Sequence, residues 1–181
     1  MLMMILVYIL LEDLCPKLIN EQKMCLVDAG LFINTPYPLM LHPHRKVDVI
    51  LSFDSSAGDP FLTVKQTAEY CKEHQIPFPN VDTKETSEDI PSQCCYIFES
   101  DGKGAPTVMH FPLFNKQTCE GKVKELRDGY STFKLHYSES EVTQLLELAK
   151  KNVEESYEKI KEYCNRSVAW CNKMEAEEAA A

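Results

Sequence analysis

The strongest constraint on the fold is the apolar run VDVILSF at residues 47–53, because a helical pattern follows it closely. The run is rich in β-branched residues and has little polarity, which predicts a strand covered on both faces. Asp59 and Pro60 have the composition of a helix start, and residues 60–74 are amphipathic. Their apolar positions recur at helical spacing: Phe61, Val64, Ala68 and Cys71. A strand, a short loop and a helix in this order predict an α/β fold.

Two further strands are predicted on either side of a glycine-containing turn. Cys95–Phe98 and Thr107–Phe111 have strand composition, and residues 100–104, SDGKG, have turn composition. Residues 115–131 are polar and rich in turn formers, so a surface loop is predicted there. Phe133–Tyr137 is predicted to be a short extended segment.

The end of the chain has the pattern of one long helix. Ser138 and Glu141 have the spacing of a capping box, and apolar residues then recur at steps of three or four to about residue 172. The helix is predicted to bury Val142, Leu145, Leu146, Ala149, Val153, Tyr157, Ile160, Cys164 and Val168. Its other face is acidic, which disfavours a bilayer as its partner, and residues 174–181 are predicted to be a frayed tail.

The first eleven residues, MLMMILVYILL, are the most apolar part of the chain. They are too short to span a bilayer, which takes about 20 residues, and no Lys or Arg precedes them. A buried strand or helix is favoured, and a weak signal sequence or a chain that begins inside a domain are the alternatives. A short helix or turn is predicted at 9–20, and no transmembrane segment is predicted.

A short strand, Lys23–Val27, is predicted to end at Asp28 and to turn at Gly30, which accepts backbone angles that other residues resist. Such a turn would hold the Asp28 carboxylate at the rim of a cleft. Residues 31–46 carry three prolines and are predicted to form an ordered loop. Its expected apolar anchors are Leu31, Phe32, Leu39 and Leu41.

Charge and cysteine spacing exclude several classes of function. The net charge of −9 and the lack of a basic stripe argue against a nucleic-acid partner. The eight cysteines form no CxxC pair, so they are predicted to be thiols in a reducing cytosol, with no structural zinc. No metal or cofactor is predicted.

The residues alone leave the chemistry open. No GxSxG motif is present, and the nearest match, residues 54–58 with Ser56 at its centre, has Asp54 in place of the first glycine. A serine-rich loop that leads into a helix is therefore favoured over a nucleophile. Asp28 is either a structural cap or a catalytic base, and Arg45 is either a surface residue or an anion clamp.

The histidines give no clear metal site. Pro43 is predicted to hold His42 and His44 apart, and no third ligand is apparent. His110 lies in an apolar strand and is predicted to be a core histidine with its hydrogen bonds satisfied.

Four motifs occur in an order that resembles the cytosolic phospholipase A2 family (group IV), gamma-type. They are LVDAGLFINTPYPLMLHPHR, VDVILSFDSSAGDPF, IPFPNVD and PTVMHFPLFN, and the resemblance extends from about Cys25 to Lys151. It implies a patatin-like α/β fold and a Ser–Asp dyad that hydrolyses the acyl ester of a glycerophospholipid at a membrane surface, without a histidine. Within these motifs, Asp28 matches the dyad aspartate. Arg45 matches an arginine that binds the substrate phosphate.

The family's serine, its oxyanion-hole glycines and its first arginine belong to an upstream part that this sequence does not contain. Residues 1–173 are therefore expected to be the C-terminal portion of a phospholipase A2 catalytic domain, inactive alone. The alternative is a truncated, catalytically dead paralogue that binds lipid or protein. A cytosolic location is expected, with peripheral attachment to intracellular membranes as a variant, and no prenyl anchor is expected because no terminal cysteine is present.

Overall fold

The structure is a computed structural model that describes residues 28–56, 58–81, 86, 89–102, 104–131 and 134–180, with side chains of the last helix described to Ala169 and at Asn172. The predictions for residues 1–11, for 9–20 and for the strand Lys23–Val27 lie outside the described residues. The chain divides into two compact units, Met1–Phe32 and Ile33–Ala181. In the first unit, the described residues form a 3-10 turn, Ala29–Leu31, that follows Asp28.

The second unit contains a three-stranded sheet and four helices among its described residues. The strands are β1 (Val49–Asp54), β2 (Tyr96–Phe98) and β3 (Thr107–Pro112), and their order in the sheet is β1-β3-β2. β1 is parallel to β3, and β2 is antiparallel to it. The helices are α1 (Tyr37–Met40), α2 (Leu62–His74), α3 (Val123–Gly129) and α4 (Glu139–Ala180). The predicted α/β class is confirmed.

The sheet lies between α2 and α4 because its side chains alternate between two apolar faces. On one face, Phe61 and Val64 at the start of α2 pack with Ile50 and Val108. The complete buried set on that face is Tyr37, Ile50, Phe61, Val64, Tyr96, Phe98 and Val108. On the other face, Met109 and Phe111 pack with α4 through Ile160 and Tyr163.

The prediction that the first strand is covered on both faces is wrong for β1. Its burial alternates, and Leu51 and Phe53 are 39% and 58% exposed. The strand that is covered on both faces is β3, which is buried at every position because it lies at the centre of the sheet. β1 thus has the composition of an interior parallel strand but lies at the edge of the described sheet.

Helix α2 begins two positions later than the predicted start at Pro60. The Asp59 Oδ1 atom accepts a hydrogen bond from the Phe61 N–H at 2.8 Å, and the Asp59 carbonyl accepts one from Leu62 N–H at 3.2 Å. Asp59 therefore closes a turn before the helix rather than capping it directly. The predicted end is confirmed, since α2 ends at His74 and Gln75 has a left-handed conformation.

The prediction of a surface loop at 115–131 is wrong. This segment contains α3, and Val123 packs with Phe114, Cys119 and Leu148 in a third buried cluster. Asn115 is fully buried, and its Oδ1 atom accepts hydrogen bonds from the N–H groups of Gln117 and Thr118, at 3.0 and 3.1 Å. A polar side chain that organises its own turn can be buried because its hydrogen bonds are made locally.

The predicted capping box of the long helix is confirmed. The Ser138 N–H donates to Glu141 Oε2 at 2.8 Å, and the Glu141 N–H donates to Ser138 Oγ at 3.3 Å. The helix continues past its predicted end near residue 172, to Ala180. The division into residues 1–173 and a tail 174–181 stays a prediction.

The buried face of α4 differs from the predicted one. The residues that are buried against the sheet and the third cluster are Leu148, Asn152 and Ser156. Asn152 Nδ2 donates to the Pro112 carbonyl at 3.0 Å, and Ser156 Oγ lies 3.1 Å from Cys94 Sγ. With these bonds made, most of the predicted apolar stripe faces away from the sheet, although Leu145 and Ile160 still pack against the buried clusters. Its exposed members are Val142, Leu146, Ala149, Val153, Tyr157, Cys164 and Val168.

The cysteines that the structure describes are free thiols, as predicted: Cys71, Cys94, Cys95, Cys119 and Cys164. Burial raises the pKa of Cys71 to about 11 and that of Cys95 to about 12. Because the thiolate is the nucleophilic form, these two buried thiols are expected to be unreactive.

The cap of α4 gives a prediction about pH. The Lys134 ammonium, which donates to Glu141, and the hydrogen bonds from Ser138 lower the pKa of Glu141 from 4.5 to about 2. A folded-state pKa below the unfolded one stabilises the protein above about pH 4.5, and this stabilisation is lost as the pH falls toward 2. Glu141→Gln is therefore expected to lower the urea midpoint at pH 7, and the difference from the unaltered chain should disappear toward pH 2.

A matched control is Glu139→Gln, which makes the same chemical change in the first turn of α4 at an exposed glutamate. We expect the midpoint of this variant to follow that of the unaltered chain at each pH. Equal effects of the two changes would mean that general helix-end electrostatics, and not the capping box, stabilise this end.

Candidate functional site

Asp28, the predicted base, is exposed and precedes the 3-10 turn Ala29–Leu31. Its Oδ1 atom accepts a hydrogen bond from the Gly30 N–H at 2.9 Å, and its carbonyl accepts one from Leu31 N–H at 3.1 Å. Gly30 therefore lies in a right-handed 3-10 turn rather than in the special backbone conformation that we predicted for it. The cap uses one carboxylate oxygen, and Oδ2 takes no part in this turn.

Arg45, the predicted phosphate-binding residue, ends a second 3-10 turn, Pro43–Arg45. Its N–H donates to the His42 carbonyl at 2.8 Å, and Lys46 follows in a left-handed conformation, with φ of 47°. The side chain is exposed, and it has no carboxylate partner among the described residues of the second unit. Its permanent charge is therefore available on the surface of that unit.

The prediction that Pro43 holds His42 and His44 apart is wrong, because the centroids of the two rings are 5.1 Å apart. The intervening 3-10 turn brings residues two positions apart onto neighbouring sides of the chain. No group of three or more His, Cys, Asp or Glu side chains in the described part of the chain is arranged to hold a metal ion.

The loop between these two turns is held by residues that the sequence did not single out. Leu31, Phe32 and Leu39 are exposed, so three of the four predicted anchors are wrong. The buried residues of this loop are Ile33 and Tyr37, and the Tyr37 ring meets Phe78 edge-on with centroids 5.7 Å apart. Leu41, the fourth predicted anchor, packs against the same core cluster.

A polar cleft of about 360 Å³ lies at the carboxyl end of β1. At its base is Asp54, a buried carboxylate whose two oxygens both bind Ser56. Oδ1 accepts the Ser56 N–H at 2.8 Å and Oδ2 accepts its hydroxyl at 3.1 Å. The other lining residues are Asn34, Thr35, Pro36, Phe53 and Ser55. A strand-terminal aspartate before a serine-rich loop is the sequence signal that could have identified this cleft.

Ser56 does not have the environment of a strand-to-helix nucleophile. Helix α2 begins only at Leu62, and the turn closed by Asp59 stands between the serine and the helix. A nucleophile elbow places its serine directly between strand and helix. The favoured interpretation of residues 54–58 as a loop that leads into a helix is therefore supported by the geometry.

The sheet also buries a polar group around His110. The His110 Nε2 atom lies 2.7 Å from the Pro60 carbonyl, which can only accept, so Nε2 carries the proton. Nδ1 has no hydrogen-bond partner, so the prediction of a fully satisfied histidine is only half right. Burial lowers the pKa of His110, and the Asp54 carboxylate opposes this shift. His110 is therefore a neutral part of the core.

A second cavity, of about 680 Å³, lies at the opposite, amino end of β1. Apolar side chains such as Met40, Val47 and Tyr163 line it together with Lys46 and Arg166. Arg166 already pairs with Glu99 at 3.4 Å, which reduces the positive charge available to a ligand there.

This chain resembles known proteins in sequence. No protein-family model matches the chain. Human cytosolic phospholipase A2 gamma is 51% identical over 150 residues, which cover 80% of this chain and 27% of that protein. The mouse protein of the same name is 44% identical over 147 residues, which cover 76% of this chain and 24% of that protein.

A solved structure also resembles this chain in its fold. Human GIVD cytosolic phospholipase A2, in complex with methyl gamma-linolenyl fluorophosphonate inhibitor and terbium chloride, aligns with a TM-score of 0.65 and 31% identity. The alignment covers 83% of this chain and 24% of that one, so this chain spans about a quarter of the length of the relatives it matches. In sequence and in fold, the chain belongs to the cytosolic phospholipase A2 family (group IV).

Proposed function

We propose that this chain carries the aspartate half of a glycerophospholipid acyl-ester hydrolase, a phospholipase A2/lysophospholipase of the Ser–Asp dyad type. The observation that carries the proposal is the 51% identity to human cytosolic phospholipase A2 gamma over 150 residues. The motif that would supply the serine, GxSxG, is not in this sequence. Asp28 would therefore act on a serine that another part of the catalytic domain provides.

In this proposal Asp28 is the general base. It takes the proton of the serine hydroxyl as the serine oxygen attacks the ester carbonyl, and the proton passes to the lysophospholipid that leaves. A water then attacks the acyl-serine and Asp28 takes its proton, which passes to the serine oxygen as the acyl–oxygen bond breaks and the fatty acid is released. The exposed carboxylate supports this role, because its cap hydrogen bond uses only Oδ1.

Arg45 is proposed to bind the phosphate of the substrate. A guanidinium is planar and permanently charged, and it can donate two parallel hydrogen bonds to phosphate oxygens. The exposure of Arg45, and the lack of a carboxylate partner in the described part of its unit, support this assignment. Neither residue needs a metal or another cofactor for these steps.

The proposed substrate lies in a membrane surface, and the proposed location is the cytosol with peripheral attachment to intracellular membranes. The relatives are named cytosolic phospholipases. Among the helices that the structure describes, none combines the length and the apolar composition needed to cross a bilayer. A nucleic-acid partner is not proposed, because the net charge is −9.

The test is hydrolysis by the 181-residue chain alone, with a phospholipid and a lysophospholipid as substrates. We expect no turnover above background, because the carboxylate has no serine to activate. Turnover that persists in the Ser55→Ala, Ser56→Ala double variant and is lost in Asp28→Ala would overturn this proposal, since it would require a nucleophile elsewhere in the chain.

The alternative function is a catalytically dead module that binds lipid or protein, and the exposed apolar side chains on β1 and α4 favour it. The two proposals differ when the rest of a catalytic domain is supplied. The enzyme half gains turnover, whereas a dead module binds without turnover.

A further inference from the structure

Three polar atoms in the core between α1 and the sheet have no hydrogen-bond partner in the part of the chain that the structure describes. They are the Tyr37 hydroxyl, the Ser52 hydroxyl and the Nδ1 atom of His110. The three residues are only 1%, 3% and 0% exposed, so bulk solvent does not reach these atoms. Most buried polar atoms in proteins are paired with a protein group or with an ordered water, because an unpaired one costs free energy.

The three side chains lie on the same face of the sheet. Ser52 and His110 are directly opposite each other in the parallel register of β1 and β3, so their side chains lie next to each other. Tyr37 packs in the same buried cluster as Ile50 and Val108, which lie two positions before Ser52 and His110 on their strands. The three unpaired atoms therefore share one region of the core.

The protonation of these groups fixes what each of them needs. Burial raises the pKa of Tyr37 to about 12, and the neighbouring Ser52 hydroxyl lowers it in part, so Tyr37 keeps its proton at neutral pH and can donate. The Nε2 atom of His110 donates to the Pro60 carbonyl at 2.7 Å, so Nδ1 carries a lone pair and can only accept. The Ser52 hydroxyl can donate and accept.

One water molecule meets all of these needs at once. One of its two O–H groups can donate to Nδ1 of His110, while its lone pairs accept the hydroxyl protons of Tyr37 and Ser52. A buried water typically makes about three hydrogen bonds to groups that otherwise lack a partner, which is the number of groups present here.

We propose that a buried water molecule binds between α1 and the sheet, held by the Tyr37 hydroxyl, the Ser52 hydroxyl and Nδ1 of His110. It would connect α1 to β1 and β3 by hydrogen bonds, in addition to the apolar packing of the Tyr37 ring. Because α1 belongs to the loop that leads to Arg45, the water would help to hold this loop on the sheet. The site is independent of any catalytic role of Asp28.

The first test is Tyr37→Phe in the full chain, which removes the hydroxyl and keeps the ring. If the hydroxyl binds a water, its loss should lower Tm by about 2–4 °C, the effect of one net hydrogen bond in a chain of this size. Removal of a hydroxyl that pairs with nothing would instead leave Tm unchanged or raise it, because a desolvated polar group would be gone.

Two other tyrosines are matched controls for this change. The buried Tyr96 hydroxyl accepts the N–H groups of Ser92 and Gln93 at 2.8 and 3.2 Å, so Tyr96→Phe should lower Tm. Tyr157 is 55% exposed, so Tyr157→Phe should leave Tm unchanged. We expect Tyr37→Phe to behave like Tyr96→Phe, and the proposal is wrong if it behaves like Tyr157→Phe.

A crystal structure of the full chain distinguishes a bridging water from two hydroxyls that bond directly to each other. We expect a water within about 2.7–3.2 Å of the Tyr37 hydroxyl, the Ser52 hydroxyl and Nδ1 of His110. A direct bond between Tyr37 and Ser52, or a site without a water, would overturn the proposal.

Nuclear magnetic resonance of the ¹⁵N-labelled chain gives a further readout in solution. The His110 Nδ1 signal should shift in both Tyr37→Phe and Ser52→Ala, because each change removes a group that holds the water. The Nε2 signal should stay in place, since its bond to the Pro60 carbonyl is retained. An Nδ1 signal that neither change moves would contradict a water shared by the three groups.

Discussion

Asp28→Asn is expected to lower kcat of the enzyme reconstituted from this chain and a serine-bearing portion by about 10²–10⁴-fold, the usual contribution of a general base. An amide keeps an oxygen that can accept the Gly30 N–H at the position of Oδ1, so the turn should survive. It cannot take a proton from a serine hydroxyl, so the loss should fall on kcat while KM changes little. The measurement is steady-state hydrolysis of a lysophospholipid.

Asp59 provides a matched control for this prediction. Its Oδ1 atom accepts the Phe61 N–H at 2.8 Å, a local bond of the same kind as the one that Asp28 makes to Gly30 at 2.9 Å. We expect Asp59→Asn to leave kcat unchanged within about twofold, as for a surface change that removes no catalytic group. If the two variants lost activity equally, Asp28 would be a structural cap and not the base.

The second large effect concerns the core between α2 and the sheet. Phe61 is completely buried, and its ring centroid lies 4.8 Å from that of Tyr96 and 5.6 Å from that of His110. Phe61→Ala is expected to reduce the free energy of unfolding by about 3–5 kcal/mol, because it removes apolar contacts and leaves a cavity. Since domains are stable by only about 5–15 kcal/mol, urea unfolding should show a large shift of the midpoint.

The adjacent residue serves as the control, because Leu62 is 48% exposed at the start of α2. Leu62→Ala should cost less than about 1 kcal/mol, since little buried area is lost. Similar losses at both positions would show that Phe61 does not anchor α2 to the sheet.

Much of the fold could be predicted because its signals are local. The strands and α2 follow from short composition patterns, and the Ser138–Glu141 capping box depends on residues three positions apart. The turn at Asn115 and the bond of Asn152 could not be predicted in this way. Both side chains donate to the Pro112 carbonyl, at 2.9 and 3.0 Å, and nothing in their local sequences indicates a shared partner.

Periodicity also failed to identify the buried face of α4, for a physical reason. The apolar residues of α4 occupy an arc of the helix surface that is wider than its contact with the sheet. The sheet can therefore cover only some of them. Asn152 and Ser156 determine which face of α4 packs, because they hydrogen-bond to atoms of the sheet and of the segment that precedes β2. The rest of the apolar stripe, which includes Val153 and Tyr157, is exposed.

The chemistry of the individual residues does not identify the candidate site, whereas the family motifs do. Asp28 and Arg45 were ambiguous as isolated residues, and only their place in the family motifs gave them roles, which remain proposals. The sequence of residues 54–58 does not indicate the organising role of Asp54, because this aspartate only appears there as a departure from a nucleophile motif. Its buried carboxylate instead holds Ser56 in the loop before α2.

The most direct test of the central claim, that this chain holds the base but not the nucleophile, is the intact mass of the 20.7 kDa chain after treatment with a lipid-like fluorophosphonate. Such reagents modify activated serines, and one is bound in the structure of human GIVD cytosolic phospholipase A2. We expect an unchanged mass for this chain and, after mixing with the serine-bearing portion of the catalytic domain, an adduct on that portion only. A stoichiometric adduct on this chain, at Ser56 or any other residue, would contradict it.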